Sequence, residues 1–182
     1  MLTLVLGGAR SGKSRYAQSL CAGEAAVYVA TAATTDDPEM LQRIQRHRRE
    51  RPETWTTIEE PEAVPSAVLG ARPADAPVVV DCVTVWLSNL LWKHRDRPVD
   101  DRERAVLQAA AELAAAGRTR RVIAVSNEVG GGTVPDHPVG RTFRDVQGLV
   151  NQLLAREAGR VVVVIAGLPM VLKGKRALGR LG

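Results

Sequence analysis

Aromatic side chains are scarce in this sequence, which has one Phe, two Tyr and three Trp among its 182 residues. Proteins that bind single-stranded nucleic acids usually stack bases on aromatic rings, so such a platform is poorly supplied here. Cysteine is scarce as well, since Cys21 and Cys82 show neither the spacing of a metal site nor that of a redox pair. The cysteine pattern favours a reducing, cytoplasmic setting.

Long apolar runs are also missing. No stretch approaches the roughly 20 apolar residues that a membrane-spanning helix requires, so we expect no membrane insertion. The apolar start, Leu2–Leu6, leads directly into glycine without a preceding basic segment, and it therefore predicts a strand rather than an export signal. The length predicts one domain over residues 1–182, with a basic tail over 174–182. The net charge of +5 fits plain solubility, a nucleic-acid partner or anionic substrates such as nucleotides.

Apolar runs bounded by Gly, Pro or polar residues alternate with stretches of helical period. This alternation predicts an α/β fold with a mostly parallel sheet and helices on both of its faces. Strands are predicted at Leu2–Leu6, Ala26–Thr31, Val78–Asp81, Val122–Ser126 and Val161–Ala166, with a weaker strand at Thr54–Glu59 and an edge strand at Met170–Lys173. Helices are predicted at Lys13–Cys21, Pro38–Arg49, Val83–Trp92, Arg102–Ala116 and Val139–Ala158, the fourth of them stopped by Gly117.

The segment after the first strand reads GGARSGKS and matches the phosphate-loop pattern G-x-x-x-x-G-K-[ST]. An apolar strand precedes it and a helical pattern follows, as the phosphate-binding mechanism requires. Lys13 is expected to reach the β- and γ-phosphates of a nucleotide, and the Ser14 hydroxyl to ligate Mg²⁺. A glycine-rich turn with a chance Lys-Ser pair is the alternative. The backbone amides that would wrap the phosphates belong to Gly7, Gly8, Ala9, Arg10, Ser11 and Gly12.

Asp81 closes an apolar strand, which is the form of a strand that carries a Mg²⁺-binding carboxylate. Its alternative role is that of a cap for the following helix. In open α/β sheets, ligands bind outside the carboxyl ends of the strands. If the sheet is parallel, Gly7, Thr31, Asp81 and the polar run Ser126–Glu128 lie along one edge and face one crevice.

Residues 43–51 place five arginines around His47. The segment could be a solvated basic helix end, or a contact patch for nucleic-acid phosphates. It could also hold a nucleophilic imidazole, because neighbouring guanidinium charges lower the pKa of His47 and keep it neutral. Arginines also bind phosphate oxygens through paired hydrogen bonds, which would offset charge on a departing pyrophosphate.

Three further features are weaker candidates. The glycine-rich segment Asn127–Pro135 could approach a substrate or act as a lid, or it could be a plain turn. His94 is expected at a solvated helix end. His137 is expected in the loop before Pro138.

Several of these motifs occur in one order along nearly the whole chain. They are the phosphate loop with Arg15, the run Tyr28–Thr31, the spacing His47-x-x-x-Arg51-Pro52-x-x-Trp55, the pair Asp81–Cys82 and the run Ser126–Gly130. The set closely resembles the bifunctional adenosylcobinamide kinase / adenosylcobinamide-phosphate guanylyltransferase family of cobalamin biosynthesis. The resemblance implies a RecA-like P-loop fold and a homotrimer.

The resemblance also implies a two-step reaction. GTP or ATP would phosphorylate adenosylcobinamide, and GMP would then pass from GTP to adenosylcobinamide phosphate through a covalent bond to His47, with Mg²⁺ as cofactor. Adenosylcobinamide and its phosphate would be the partners, and nucleic acid would not. The positions that would contact nucleotide are Leu6 to Ser14, Thr31, Ala32, Ala33, Arg48, Arg49, Glu50, Arg51, Glu59 and Asp81.

Two other functions fit parts of the sequence. A P-loop ATPase acting on nucleic acid would use the basic segment Arg43–Arg51 as its contact patch, although no nucleic-acid-binding motif accompanies it. A GTP-dependent switch would use the phosphate loop for binding and hydrolysis alone.

Overall fold

The structure is a computed structural model that describes residues 1–32, 42, 45, 48 and 51–175. Its centre is a seven-stranded sheet in the order β3-β2-β4-β5-β1-β6-β7. The first six strands are parallel wherever they pair, and β7 runs antiparallel to β6 along one edge. The strands are β1 Leu2–Gly7, β2 Val27–Ala30, β3 Thr56–Glu59, β4 Val78–Asp81, β5 Val122–Asn127, β6 Arg160–Ile165 and β7 Leu168–Lys173. All seven predicted strands are confirmed within a few residues.

Helices cover both faces of the sheet, as predicted. Neighbouring strand residues such as Leu4 and Val5 belong to different buried clusters, because side chains alternate between the faces of a strand. One face packs against α1, and the other packs against the remaining described helices. The helices are α1 Lys13–Ser19, α2 Val64–Gly70, α3 Val83–Lys93, α4 Val99–Thr119 and α5 Pro138–Glu157.

The structure adds one helix that was not predicted and moves the end of another. The short helix α2 was not predicted, because Pro65 and Gly70 within it are residues more typical of turns and helix ends. Gly117 does not stop α4, which continues to Thr119. A Cβ atom at Gly117 would lie 2.7 Å from the Cβ of Leu2, so glycine lets α4 approach β1 closely.

Most of the helix predicted at Pro38–Arg49 lies outside the described residues. Gln42, Gln45 and Arg48 are described, and all three are helical and exposed. The basic tail is described only as far as Lys175. No helix in the described ranges combines the length and apolar character needed to cross a membrane.

Strand register fixes the edge of the sheet where the candidate site lies. Ala30 at the end of β2 pairs with both Glu59 and Asp81, the last residues of β3 and β4. On the other side of β5, Gly7 pairs with Asn127 at the ends of β1 and β5. The carboxyl ends of these parallel strands therefore meet at one edge, as the strand-end pattern predicted.

Candidate functional site

The loop between β1 and α1 is held tightly at both ends. Gly12 precedes α1 with a φ of 92°, in the left-handed region that favours glycine. A side chain at Gly7 would meet Ser11 Oγ at 2.4 Å and the carbonyl oxygen of Val164 at 2.7 Å. The Gly167 N–H donates to the Ser11 carbonyl oxygen at 2.9 Å and ties the loop to the β6–β7 turn. These contacts give the rigid backbone that a phosphate cradle requires.

The middle of the loop between β1 and α1 is exposed to solvent, and a buried lysine side chain lies beneath it. Gly8, Ala9 and Arg10 are exposed, whereas Lys13 is only 8% exposed. The Lys13 Nζ donates to the Gly8 carbonyl oxygen at 3.1 Å and therefore lies under the loop. Ser14 follows it in the first turn of α1 and is half-buried. The loop thus combines exposed backbone with a positive charge at its base, which suits an anionic ligand.

Asp81 lies at the end of β4 and is held by a tyrosine. The Tyr28 hydroxyl donates to Asp81 Oδ2 at 2.7 Å. Burial, followed by the Asp81 charge, raises the pKa of Tyr28 far above its ordinary value, so the phenol stays protonated and donates. The alternative role of Asp81 as a helix cap is wrong, because Cys82 precedes α3 and its sulfur accepts from the Val85 N–H at 3.5 Å.

Thr31 joins the ends of β2 and β4. It is fully buried, and its hydroxyl donates to the Cys82 carbonyl oxygen at 2.8 Å while accepting from the Cys82 N–H at 2.9 Å. Asn89 on α3 donates to the carbonyl oxygens of Thr31 at 2.8 Å and of Pro61 at 3.0 Å. Thr31 therefore organises the strand ends beside Asp81, and Ala32 directly after it is partly exposed.

The described arginines of the basic segment reach the same edge of the sheet. Arg48 forms an ion pair with Glu59 at the end of β3. The Arg51 guanidinium lies 3.7 Å above the centre of the Tyr28 ring and donates to Thr57 Oγ1 at 3.1 Å. Both arginines are thus engaged with the β2–β3 part of the sheet, next to the strand that ends at Asp81.

A buried polar network behind β5 was not predicted from the sequence. Ser126 Oγ donates to Asn151 Oδ1 at 2.7 Å, and Gln147 Nε2 donates to Ser126 Oγ at 2.9 Å. Asn151 Nδ2 donates to the Asn127 carbonyl oxygen at 3.1 Å. Polar Gln147 and Asn151 lie four residues apart on α5 between buried valines, and this spacing was the available signal. The network fixes the end of β5 beside the phosphate loop, where the Glu128 N–H donates to the Gly7 carbonyl oxygen at 3.1 Å.

The loop after β5 is held by one of its own side chains and by one from α5. The Glu128 carboxylate accepts from the Gly130 N–H at 2.7 Å, and Arg144 on α5 donates to the Gly130 carbonyl oxygen at 2.9 Å. His137 is the exposed residue before α5, and His94 follows the last residue of α3, as predicted. Exposure of the loop keeps it available to a substrate.

Four predicted site residues lie outside the described residues. They are Ala33, His47, Arg49 and Glu50. The others gather along the carboxyl edge of the sheet, from Glu59 on β3 to the loop after β1.

The oxygen donors at this edge fit a magnesium ion. Mg²⁺ prefers hard oxygen ligands and is usually held by one or two carboxylates or hydroxyls together with substrate phosphates. Asp81 Oδ1 accepts no hydrogen bond from the part of the chain that the structure describes, and Ser14 is half-buried at the start of α1. Within the same ranges, no three His, Cys, Asp or Glu side chains cluster into a ready-made metal site. A Mg²⁺ ion here would therefore need the phosphates of its nucleotide.

Solved structures support the fold. An ATPase from the type III secretion system of pathogenic bacteria superposes with a TM-score of 0.56 at 13% identity, over 89% of this chain and 50% of the ATPase chain. The chain thus spans about half the length of that ATPase. Likeness at this identity concerns the fold, and it agrees with the α/β sheet and phosphate loop described above.

Sequence comparisons identify the family. The profile described as cobinamide kinase / cobinamide phosphate guanyltransferase matches residues 3–172. The bifunctional adenosylcobalamin biosynthesis protein CobP of Pseudomonas aeruginosa is 43% identical over 96% of this chain and 99% of its own length. The bifunctional protein CobU of Escherichia coli is 38% identical over 95% of this chain and 100% of its own length. With its phosphate loop in place at the sheet edge, this chain belongs to the cobinamide kinase / cobinamide phosphate guanyltransferase family.

Proposed function

We propose that this chain catalyses two successive reactions on a corrinoid in cobalamin biosynthesis. In the first, GTP or ATP phosphorylates the hydroxyl group of adenosylcobinamide. In the second, GMP passes from GTP to adenosylcobinamide phosphate, and the products are adenosylcobinamide-GDP and pyrophosphate. One observation supports this proposal. In a chain of this family, a single sheet edge carries the phosphate loop, Asp81 and the Arg48–Glu59 ion pair.

The phosphate loop serves the kinase step. The alcohol oxygen of adenosylcobinamide attacks the γ-phosphorus, the bond from that phosphorus to the bridging oxygen breaks, and GDP or ADP leaves. The hydroxyl proton passes to solvent. Loop amides and Lys13 take up the negative charge that spreads over the transferred phosphoryl group. The position of Lys13 beneath the loop, 3.1 Å from the Gly8 carbonyl oxygen, supports this role because a bound phosphate would offer Nζ a stronger acceptor.

His47 carries GMP between the two halves of the second step. A neutral imidazole nitrogen attacks the α-phosphorus of GTP, an N–P bond forms, and pyrophosphate leaves. A phosphate oxygen of adenosylcobinamide phosphate then attacks the same phosphorus, and the N–P bond breaks to restore the imidazole. The arginines of the segment keep the imidazole neutral and pair with the departing pyrophosphate. The remaining nucleotide contacts come from Thr31, Ala32, Ala33, Arg48, Arg49, Glu50, Arg51 and Glu59.

Ser14 and Asp81 would hold Mg²⁺, which neutralises phosphate charge when it is bound. Their oxygens fit the ion, and Asp81 presents an oxygen that Tyr28 does not use. We also expect a homotrimer in the cytoplasm, which sedimentation and fractionation would test.

Covalent capture of GMP tests the proposal most directly. GTP labelled at the α-phosphate should label the protein, while GTP labelled at the γ-phosphate should not. The bond should be labile to acid and stable to alkali, as expected of a phosphoramidate. His47→Ala should abolish labelling, and His137→Ala, which removes an exposed histidine, should leave it intact. If His47→Ala labels as well as the unaltered protein, the nucleophile is another residue.

A further inference from the structure

Tyr28 occupies a buried position that joins two parts of the site. It is 2% exposed, lies on β2, and belongs to the buried cluster on the α1 side of the sheet. Its ring is covered by the Arg51 guanidinium at 3.7 Å, and the Trp55 ring lies 6.4 Å away between centroids. These neighbours hold the ring in place, so its hydroxyl has a fixed position.

The hydroxyl is directed at one oxygen of a candidate metal ligand. Ala30, not Tyr28, pairs with Asp81 in the sheet, so the tyrosine reaches along the face from two residues earlier on β2. Side-chain alternation puts Asp81 on the same face as Val79, which packs in the α1-side cluster. The carboxylate is therefore on the side of the sheet that carries Lys13 and Ser14. Tyr28 donates to Oδ2 at 2.7 Å.

We propose that Tyr28 is the positioning residue for the Asp81 carboxylate, occupying Oδ2 so that Oδ1 is turned toward the magnesium–nucleotide complex. This inference rests on the proposed metal role of Asp81. A carboxylate at the end of a strand can rotate about its side-chain bonds, and a hydrogen bond to one oxygen limits that rotation. Partners of this kind orient metal ligands, and their removal typically weakens metal binding by about 10-fold to 100-fold.

Tyr28→Phe isolates this hydrogen bond, because it removes one oxygen atom and keeps the ring that contacts Arg51 and Trp55. The probe is Mn²⁺ together with a non-hydrolysable GTP analogue, and binding of the ion is measured by electron paramagnetic resonance. We expect Tyr28→Phe to weaken Mn²⁺ binding at least about 10-fold. Nucleotide affinity without metal should change less than about 2-fold. The matched control is Tyr16→Phe, since the only other tyrosine accepts a hydrogen bond from Arg160 at 3.1 Å and does not touch Asp81.

A double-mutant cycle with Asp81→Asn separates the positioning role of Tyr28 from the metal-binding role of Asp81. If Tyr28 acts through Asp81, adding Tyr28→Phe to Asp81→Asn should weaken Mn²⁺ binding no further. If Asp81→Asn weakens binding and Tyr28→Phe alone does not, the positioning role of Tyr28 is wrong while the metal role of Asp81 stands. If neither variant changes binding, the metal role of Asp81 itself is wrong.

A second measurement distinguishes weaker metal binding from a general loss of stability in Tyr28→Phe. The rise in melting temperature caused by Mn²⁺ and the GTP analogue compares each variant with its own ligand-free form, so a lower starting temperature does not hide the effect. A smaller rise in Tyr28→Phe than in Tyr16→Phe is expected. Equal rises would overturn the inference.

Discussion

Replacing Gly7 by alanine adds one methyl group at a crowded point of the phosphate loop. Its Cβ would lie 2.4 Å from Ser11 Oγ and 2.7 Å from the carbonyl oxygen of Val164, and both distances are far below normal contact. The Ser11 side chain could turn aside, but the Val164 oxygen belongs to the backbone of β6. The loop or the strand must therefore move. Overpacking of this kind costs about 1–3 kcal/mol.

For a domain of this size, each kcal/mol corresponds to a change of about 2–4 °C in melting temperature. We thus expect Gly7→Ala to melt about 2–12 °C lower and to bind a GTP analogue more weakly, because the displaced loop no longer presents its amides correctly. Circular dichroism and calorimetric titration would measure the two effects.

The adjacent glycine provides a matched control. A Cβ atom at Gly8 would have no neighbour within 4 Å, so Gly8→Ala should leave the melting temperature within about 2 °C of the parent value. If both variants melt and bind alike, crowding at Gly7 does not shape the loop. If Gly8→Ala lowers the melting temperature more than Gly7→Ala does, the crowding argument is wrong.

Three other changes test separate parts of the molecule. Lys13→Ala should lower kinase turnover by at least about 100-fold, because the phosphoryl group loses a charged partner in the transition state, and unchanged turnover would exclude the loop from the reaction. Asn151→Leu should lower the free energy of unfolding, measured in urea, by about 2–4 kcal/mol, because Ser126 and Gln147 lose a buried acceptor. The control is Gln152→Leu at the exposed neighbouring position, which should have little effect. Burial raises the pKa of the Cys21 and Cys82 thiols from 9.0 to about 11, so below pH 9 the folded protein should react with a thiol reagent about 100-fold more slowly than the unfolded chain. Equal reaction rates in the folded and unfolded states would contradict the burial argument. Because thiols of the unfolded chain ionise first as the pH rises, the stability that these two groups contribute should be complete below pH 9.0 and decline as the pH rises through about 11.

The strands were predictable because their residues are apolar and β-branched and are bounded by clear breaks. Val78–Asp81 and Val122–Asn127 illustrate this, since each is buried over most of its length. Gly117 misled the prediction because helix-ending and close packing both favour glycine, and only the three-dimensional contact with Leu2 distinguishes them. The short helix α2 gave too few apolar repeats to produce a helical pattern.

The site was predictable in its local motifs and not in its cross-strand contacts. The phosphate loop and Asp81 each follow from a few adjacent residues. The contact between Tyr28 and Asp81 depends on β2 being next to β4, and strand order cannot be read from local patterns. The network of Ser126, Gln147 and Asn151 likewise needs α5 packed behind β5. The contact of the Arg51 guanidinium with the Tyr28 ring likewise depends on how the chain returns to β2 after the basic segment.

One strand, β5, separates the strand that leads into the phosphate loop from the strand that ends at Asp81. Two inter-strand steps keep the backbones of β1 and β4 roughly 10 Å apart. A phosphate group and its metal ion would therefore have to bridge this interval to contact both the lysine-bearing loop and the carboxylate. The sheet itself therefore acts as a spacer, and the width of the gap is set by backbone hydrogen bonds rather than by any side chain that lines it.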